Sequence, residues 1–200
     1  MARTTAGNIT ARGQARRDQL IAIALKAFAA QGFRGTAVSA IAAEAGISEP
    51  GLLHHFPSKR DLLLGVLEHY EEFFRARGQG LADGGESFCE RLLDLARFHE
   101  GDPSFIRLYT VLAAESTTSE HPAHEWFRSR YDRVRALFAA GFAADQERGW
   151  ISETIEPDDV ARQVVALLDG LELQFLLSGG RLGIVEPLAG FLGSLRAPRP

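Results

Sequence analysis

The sequence predicts an all-α protein of about nine helices, an amino-terminal three-helix domain joined to a larger helical body. Three observations support this. Apolar residues recur at three- and four-residue spacing along most of the chain, alternating β-branched runs closed by Asn-Gly or Asp-Gly turns are missing, and capping residues and first-turn prolines punctuate the pattern. With 200 residues, 46% hydrophobic and 24% charged, the chain is long enough to bury a core without staples. The lone Cys89 excludes a disulfide framework or a multi-cysteine zinc site.

The first helix is expected over 14–31, with Leu20, Ile23, Ala24, Ala27 and Phe28 on one face and Gly32 as its end. A short second helix follows Thr36 as N-cap, buries Ile41 and Ala45, and stops at Gly46. Ser48 caps a third helix over 51–56, and Pro57 breaks it. Ser58 with Asp61 opens a long fourth helix through Leu63, Val66, Tyr70 and Phe74. The glycines at 78, 80, 84 and 85 suggest a loop or boundary. Ser87 and Glu90 open a fifth helix, and Pro103, Pro122, Pro157 and Pro187 mark helices over 103–116, 122–148, 157–178 and 187–196. The resulting division is a flexible basic arm over 1–13, a helix-turn-helix domain over 14–58 and a helical body over 59–197.

The net charge of −4 hides an asymmetry: residues 1–60 carry eight Lys/Arg against three acids, and the remainder carries fourteen against twenty-three. A basic head on an acidic body suggests a nucleic-acid-binding module fused to something else. Thr36 to Lys59, TAVSAIAAEAGISEPGLLHHFPSK, reads as helix, tight turn at Ala45-Gly46-Ile47 and second helix, locked by Ile41, Ala45, Ile47 and Leu52. In a helix-turn-helix the second helix enters the major groove while the first crosses the backbone.

The strings AFAAQGFRGT, IAAEAGIS and GLLHHFPSKRDLL resemble the amino-terminal domain of the tetracycline-repressor (TetR) family of bacterial transcriptional regulators, closely over about 14–67. The resemblance implies a DNA-binding set of Arg12, Arg16, Thr36, Ser39, Ser48, Glu49, Pro50, Gly51, His54, His55 and Lys59. Pro50 suits a thymine methyl, Gly51 allows close backbone approach, and Thr36 and Ser39 suit phosphate. Arg17 joins Arg12 and Arg16 on the arm, within reach of phosphate or the minor groove. Leu53 stands where the family usually has a phosphate-contacting tyrosine; leucine cannot donate that bond, so either His54 or His55 replaces it or the position packs.

The resemblance further implies a double-stranded DNA partner with a roughly palindromic operator, a homodimer, and a small, largely apolar effector. Apolar stripes on the body helices end in ionisable groups, so the candidate effector residues are Tyr70, Phe74, His99, Tyr109, Leu112, Glu115, Phe127, Tyr131 and Gln174; His99 and Glu115 either close a pocket or pair structurally at its rim. A helix apolar on two sides, Val160, Val164, Leu167, Leu171 and Phe175, joins Leu188, Phe191 and Leu192 as the expected dimer interface.

No phosphate-binding loop, dinucleotide fingerprint or Gly-x-Ser-x-Gly elbow occurs, so no enzyme, cofactor or metal is expected. His121 and His124 near Glu115, Glu120 and Glu125 lack a clear further metal-ligand pattern, and Cys89 is either redox-sensing or idle. No apolar run is long enough to span a membrane and residues 1–17 do not resemble a secretory signal, so a cytoplasmic protein without a membrane partner is expected. The expected function is a transcriptional repressor released by its effector. The alternatives are an effector-dependent activator of the same fold, or a helical protein-interaction module without DNA binding.

Overall fold

The computed structural model describes the backbone of residues 4–82 and 85–197 and the side chains of residues 13–75 and 85–197. Among the described residues the regular structure is helical: α1 (Thr4–Gly35), α2 (Val38–Glu44), α3 (Glu49–His55), α4 (Lys59–Ala82), α5 (Phe88–Gly101), α6 (Ser104–Glu115), α7 (His124–Glu147), α8 (Pro157–Leu177) and α9 (Val185–Ser194). One antiparallel bridge, Ile151 with Arg196, ties the α7–α8 loop to the end of α9. No described helix is long and apolar enough to cross a membrane.

Local chemistry accounts for most helix ends. Ser87 accepts from the Glu90 amide at 3.1 Å while the Glu90 carboxylate takes the Ser87 amide at 3.1 Å, a complete capping box. Ser58 Oγ accepts from the Asp61 amide at 3.1 Å at the start of α4. Side chains from distant segments finish the starts of α5 and α9. Asp145, fully buried, accepts from the amides of Phe88 and Cys89 at 2.9 and 3.2 Å. Glu100 accepts from the amides of Ile184 and Val185 at 2.5 and 3.0 Å. Carboxylates at these positions satisfy unpaired N–H groups and the positive end of the helix dipole.

The structure departs from the sequence expectations at several ends. Residues 4–13 are helical rather than a loose arm: the segment contains no proline, and Gly7 and Gly13 each cost only about 1 kcal/mol; the Arg12 side chain lies outside the described residues. Gly32, at φ 68° and ψ 179°, breaks the regular helix where the sequence places its end, and a short helical segment continues past this kink to Gly35. Helix α4 continues through Gly78 and Gly80 to Ala82, since each glycine costs only about 1 kcal/mol and lies between better helix formers. Pro122 falls in the turn before α7, where the His121 ring accepts from the Ala123 amide at 3.2 Å.

Two cores hold the bundle. The first joins Leu20, Ala24 and Phe28 of α1, Ile41, Leu52, Leu62, Leu63 and Val66 to Leu108, Leu112 and Phe127 of the body. The second gathers Phe88 and Leu92 with Phe138, Phe142, Val160, Val164, Leu188 and Leu192. The amino-terminal helices are therefore packed into the body through α4 and α6, not merely strung to it.

The second core takes up five of the eight residues expected at the dimer interface and leaves Leu167, Leu171 and Phe191 half-buried. Val160, Val164, Phe175, Leu188 and Leu192 are buried within the chain's own core, and Leu167, Leu171 and Phe191 pack against its edge. A helix apolar on two sides presented its fuller stripe inward. Its outward side carries Leu173 and Leu177, 44% and 79% exposed, followed by exposed Leu182.

Candidate functional site

The turn between α2 and α3 is built by one glycine. Gly46 takes φ +68°, its amide donates to Ala43 O at 3.0 Å, and the Ile47 amide donates to Ala42 O at 3.0 Å. That pair of reversed bonds ends α2 and redirects the chain at a fixed angle. Ser48 then accepts from the Gly51 amide at 3.3 Å, with Pro50 in the first turn of α3. Leu52 and Phe56 bury inward, which leaves Glu49, Pro50 and His54 exposed and Gly51, Leu53 and His55 half-buried. The rings of His54 and His55 meet edge to face at 5.7 Å. Ser39 is exposed on the first turn of α2.

Four of the expected DNA contacts have other duties. Thr36 is buried and is not the N-cap of α2, which is Ala37; its hydroxyl donates to Gly32 O at 2.7 Å and to Ala27 O at 3.2 Å. Thr36 thus ties the segment after the Gly32 kink back to α1 instead of reaching outward. Arg16 and Arg17 belong to α1 and not to an arm. Arg16 donates to Ala45 O at 3.2 Å, and Arg17 donates to His55 O at 3.1 Å while stacking 4.1 Å over the Phe56 ring. Each cation thus sits at the carbonyl end of one helix of the motif, where the helix dipole favours it. Lys59 leans back to Arg34 O at 3.5 Å and lies 4.6 Å over the Phe33 ring, half-buried beside the exposed Arg60. Arg17→Met should lower stability by about 1 kcal/mol and the melting temperature by about 2–4 °C, read by circular dichroism.

The body holds a second cluster. Tyr70 and Phe74 of α4 meet Tyr109 and Phe105 of α6, with Tyr70 stacked on Tyr109 at 5.9 Å. Tyr109 also contacts Phe127 and Tyr131 of α7, at 5.2 and 6.2 Å. Among the expected effector residues, Tyr70, Phe74, His99, Tyr109, Phe127 and Tyr131 come together here, and Leu112 lies in the adjoining first core. Gln174 does not: it is exposed and donates to Gly170 O at 3.3 Å. Glu115 does not either, because the turn of α6 past Leu112 carries it to the α1 kink, where it accepts from the Phe33 amide at 2.6 Å.

Three polar residues that sequence reasoning missed complete the cluster. Glu172, buried on α8, meets His99 Nδ1 at 2.7 Å. Asp169 accepts from the Tyr131 hydroxyl at 2.8 Å; burial raises its carboxyl to about 6, opposed by that hydrogen bond and reinforced by Glu172. Arg130 lies 5.2 and 5.3 Å from the Tyr70 and Tyr109 ring centres and 5.7 Å from that of Trp126. Burial drives the Tyr70 and Tyr131 hydroxyls well above their ordinary range and also raises Tyr109, so all three stay protonated phenols. The acid positions were visible as charges interrupting the apolar stripe of α8.

The junction between the two ends is also polar. His121 Nδ1 accepts from Ser116 Oγ at 2.8 Å, and its Nε2 stands 3.8 Å from the Glu115 carboxylate. Burial pulls the His121 ring below its usual range, against the pull of Glu115, so it is a neutral imidazole. His124 spends Nδ1 on Ser116 O at 2.9 Å. Both histidines therefore knit the α6–α7 turn. Elsewhere, a groove of about 560 Å³ runs past Ser87, Cys89, Trp150, Leu192 and Arg196. Burial and the neighbouring Asp145 push the Cys89 thiol up to about 12, which keeps it protonated and unreactive.

Comparison with known proteins agrees with this architecture. Residues 20–66 match the model of bacterial regulatory proteins of the tetR family, and residues 85–186 match the carboxy-terminal domain of BetI-type transcriptional repressors. The transcriptional repressor KstR2 of Mycolicibacterium smegmatis is 37% identical over 125 residues, 62% of this chain and 61% of that one. The repressor SCO4008 of Streptomyces coelicolor is 27% identical over 85% of this chain and 88% of its own. A transcriptional regulator from Saccharomonospora viridis, solved in complex with choline, superposes with a TM-score of 0.80 at 24% identity, covering 92% of this chain and 98% of the other. With a helix-turn-helix whose outward face is Glu49, Pro50 and His54, and a body matched across the carboxy-terminal model, the chain belongs to the TetR family of DNA-binding transcriptional regulators.

Proposed function

We propose that the protein represses transcription as a two-fold dimer on a roughly palindromic operator and is released when a small molecule occupies the aromatic cluster of the body. The observation that carries the reading is the first core: Leu62, Leu63 and Val66 of α4 pack with the helix-turn-helix on one side and with Leu108 and Leu112 of α6 on the other. A ligand that changes the seating of Tyr70 or Tyr109 therefore changes the seating of α3, and its differential affinity for the two arrangements sets the loss of DNA affinity. A neighbour of the same fold was solved with a small molecule bound. The exposed Leu173, Leu177 and Leu182 offer the apolar face for a second copy, which would place two α3 helices about one DNA turn apart.

The test is fluorescence anisotropy with duplexes from the DNA upstream of the protein's own gene. Affinity should fall steeply with salt. His54→Glu should weaken it by about tenfold, through repulsion at the groove, without changing the melting temperature. Leu177→Asp should yield a monomer in sedimentation and a similar loss of affinity. Binding indifferent to both substitutions would overturn the reading.

A further inference from the structure

We infer that the aromatic cluster between α4, α6, α7 and α8 is a site for a small organic cation, and that Arg130 fills it here as an intramolecular stand-in. The inference rests on the effector reading above and names the ligand class. Its first support is how Arg130 is held. The guanidinium lies against the rings of Tyr70, Tyr109 and Trp126, 5.2, 5.3 and 5.7 Å from their centres. Its nearest carboxylate, Glu71, is 3.9 Å away and already holds Arg133 at 2.6 Å. Arg130 Nε is buried with no hydrogen-bond partner. Three ring faces and one long ion-pair contact hold this cation, and aromatic faces attract any cation of suitable size.

The second support is the acid facing it. Asp169 and Glu172 lie three residues apart on one side of α8, and each has a neutral hydroxyl or an imidazole, not a lysine or arginine, as its hydrogen-bond partner. Among the described residues neither lies within 4.0 Å of a Lys or Arg nitrogen. Carboxylates drawn this far from water ordinarily require a matching charge. The third support is His99: it is 5% exposed, its Nδ1 is committed to Glu172, and its Nε2 is buried without a partner.

An anion entering here would meet one guanidinium but two carboxylates, and a neutral apolar ligand would bring the two carboxylates no further positive charge. A cation pairs with Asp169 and Glu172, stacks on the tyrosines, and sends Arg130 outward to Glu71, which is on the more accessible side of the cluster. Tyr70 and Phe74 are on α4, so the exchange acts directly on the helix that carries the DNA-binding end.

The experiment uses Trp126 as reporter. The chain has two tryptophans, so Trp150→Phe leaves Trp126 alone beside Arg130. This protein is titrated with benzyltrimethylammonium, benzyl alcohol and benzoate. The cation should shift Trp126 emission saturably and bind at least about tenfold more tightly than either other probe. Asp169→Asn with Glu172→Gln should cost at least about tenfold, whereas Arg130→Gln, by removing the internal competitor, should tighten binding several-fold. Benzoate binding that is lost in Arg130→Gln, or benzyl alcohol binding as well as the cation, would overturn the inference while leaving a small-molecule effector in place. Silence from all three probes would overturn it too, and would remove its support from the effector reading. Asp169→Asn alone serves if the double variant does not fold.

Discussion

Alanine in place of Gly32 will lower stability by about 4 kcal/mol and the melting temperature by about 10 °C. Gly32 sits at φ 68°, ψ 179°, a region open essentially to glycine alone, and any other residue there costs about 1–3 kcal/mol in strain. A Cβ would also stand 2.3 Å from the Glu115 carboxylate, which must then leave the Phe33 amide that it accepts from at 2.6 Å. Loss of a hydrogen bond to a charged group adds about 1.5–3 kcal/mol. A thermal melt within about 1 kcal/mol of the parent would show that the kink is not held in this way. The same contact predicts a functional effect. Tyr109, Leu112 and Glu115 recur at three-residue spacing on α6, so one helix runs from the aromatic cluster to the kink of α1. Glu115→Gln keeps the shape and removes the charge; it should loosen the response of operator affinity to ligand more than it lowers affinity itself.

What could be read in advance was what is encoded locally. Gly46 followed by Ser48 specifies a turn and a cap within four residues, and Ser87 with Glu90 closes a box on itself. These interactions need no knowledge of the rest of the chain. Glu115 and Thr36 were misread because their partners are set by the kink at Gly32, and a helix-breaking glycine in sequence does not say which side chains will answer the backbone groups around it. Arg16 and Arg17 read as DNA-facing charges, yet each has a carbonyl end of α2 or α3 within reach once the three helices pack. The inward and outward sides of α8 were likewise interchangeable on hydropathy alone: Leu173 and Leu177 are as apolar as Val160 and Val164, and only the packing of α5, α7 and α9 selects between them. The polar half of the central cluster is the clearest case. Arg130 looks like an ordinary surface charge in sequence and Asp169 and Glu172 only interrupt an apolar stripe, so their role follows from α7 and α8 crossing beside α4 and α6.

Replacing Asp169 by asparagine should make the protein more stable at pH 7, by about 2 kcal/mol. The carboxyl titrates at about 6 in the folded protein against 3.8 in the reference state, and burial is the leading cause. That gap corresponds to about 3 kcal/mol, which water at the partly open edge of the site trims to about 2. The native state therefore binds the proton more readily than the unfolded chain. The stabilising contribution of the protonated form is complete below about pH 4, is lost as pH rises through about 6, and leaves the ionised form uncompensated at neutrality. The groups that face it are Tyr131 and Arg130 on α7 and Glu172 on α8; of these Glu172 adds to the penalty, while Tyr131 and Arg130 reduce it. Asparagine can still accept from the Tyr131 hydroxyl but has no charge to bury, so the difference in unfolding free energy between variant and parent should be near 2 kcal/mol at pH 7 and vanish by about pH 4. Urea unfolding at a series of pH values reads this directly, and a difference independent of pH would refute it. An organic cation in the cluster should act on the same carboxylate from the opposite side. It should lower the carboxyl's affinity for a proton, bind more weakly as the solution is acidified through about pH 6, and abolish the stability difference at pH 7 when saturating. A destabilising carboxylate in the free protein is thus what makes the site selective for positive charge.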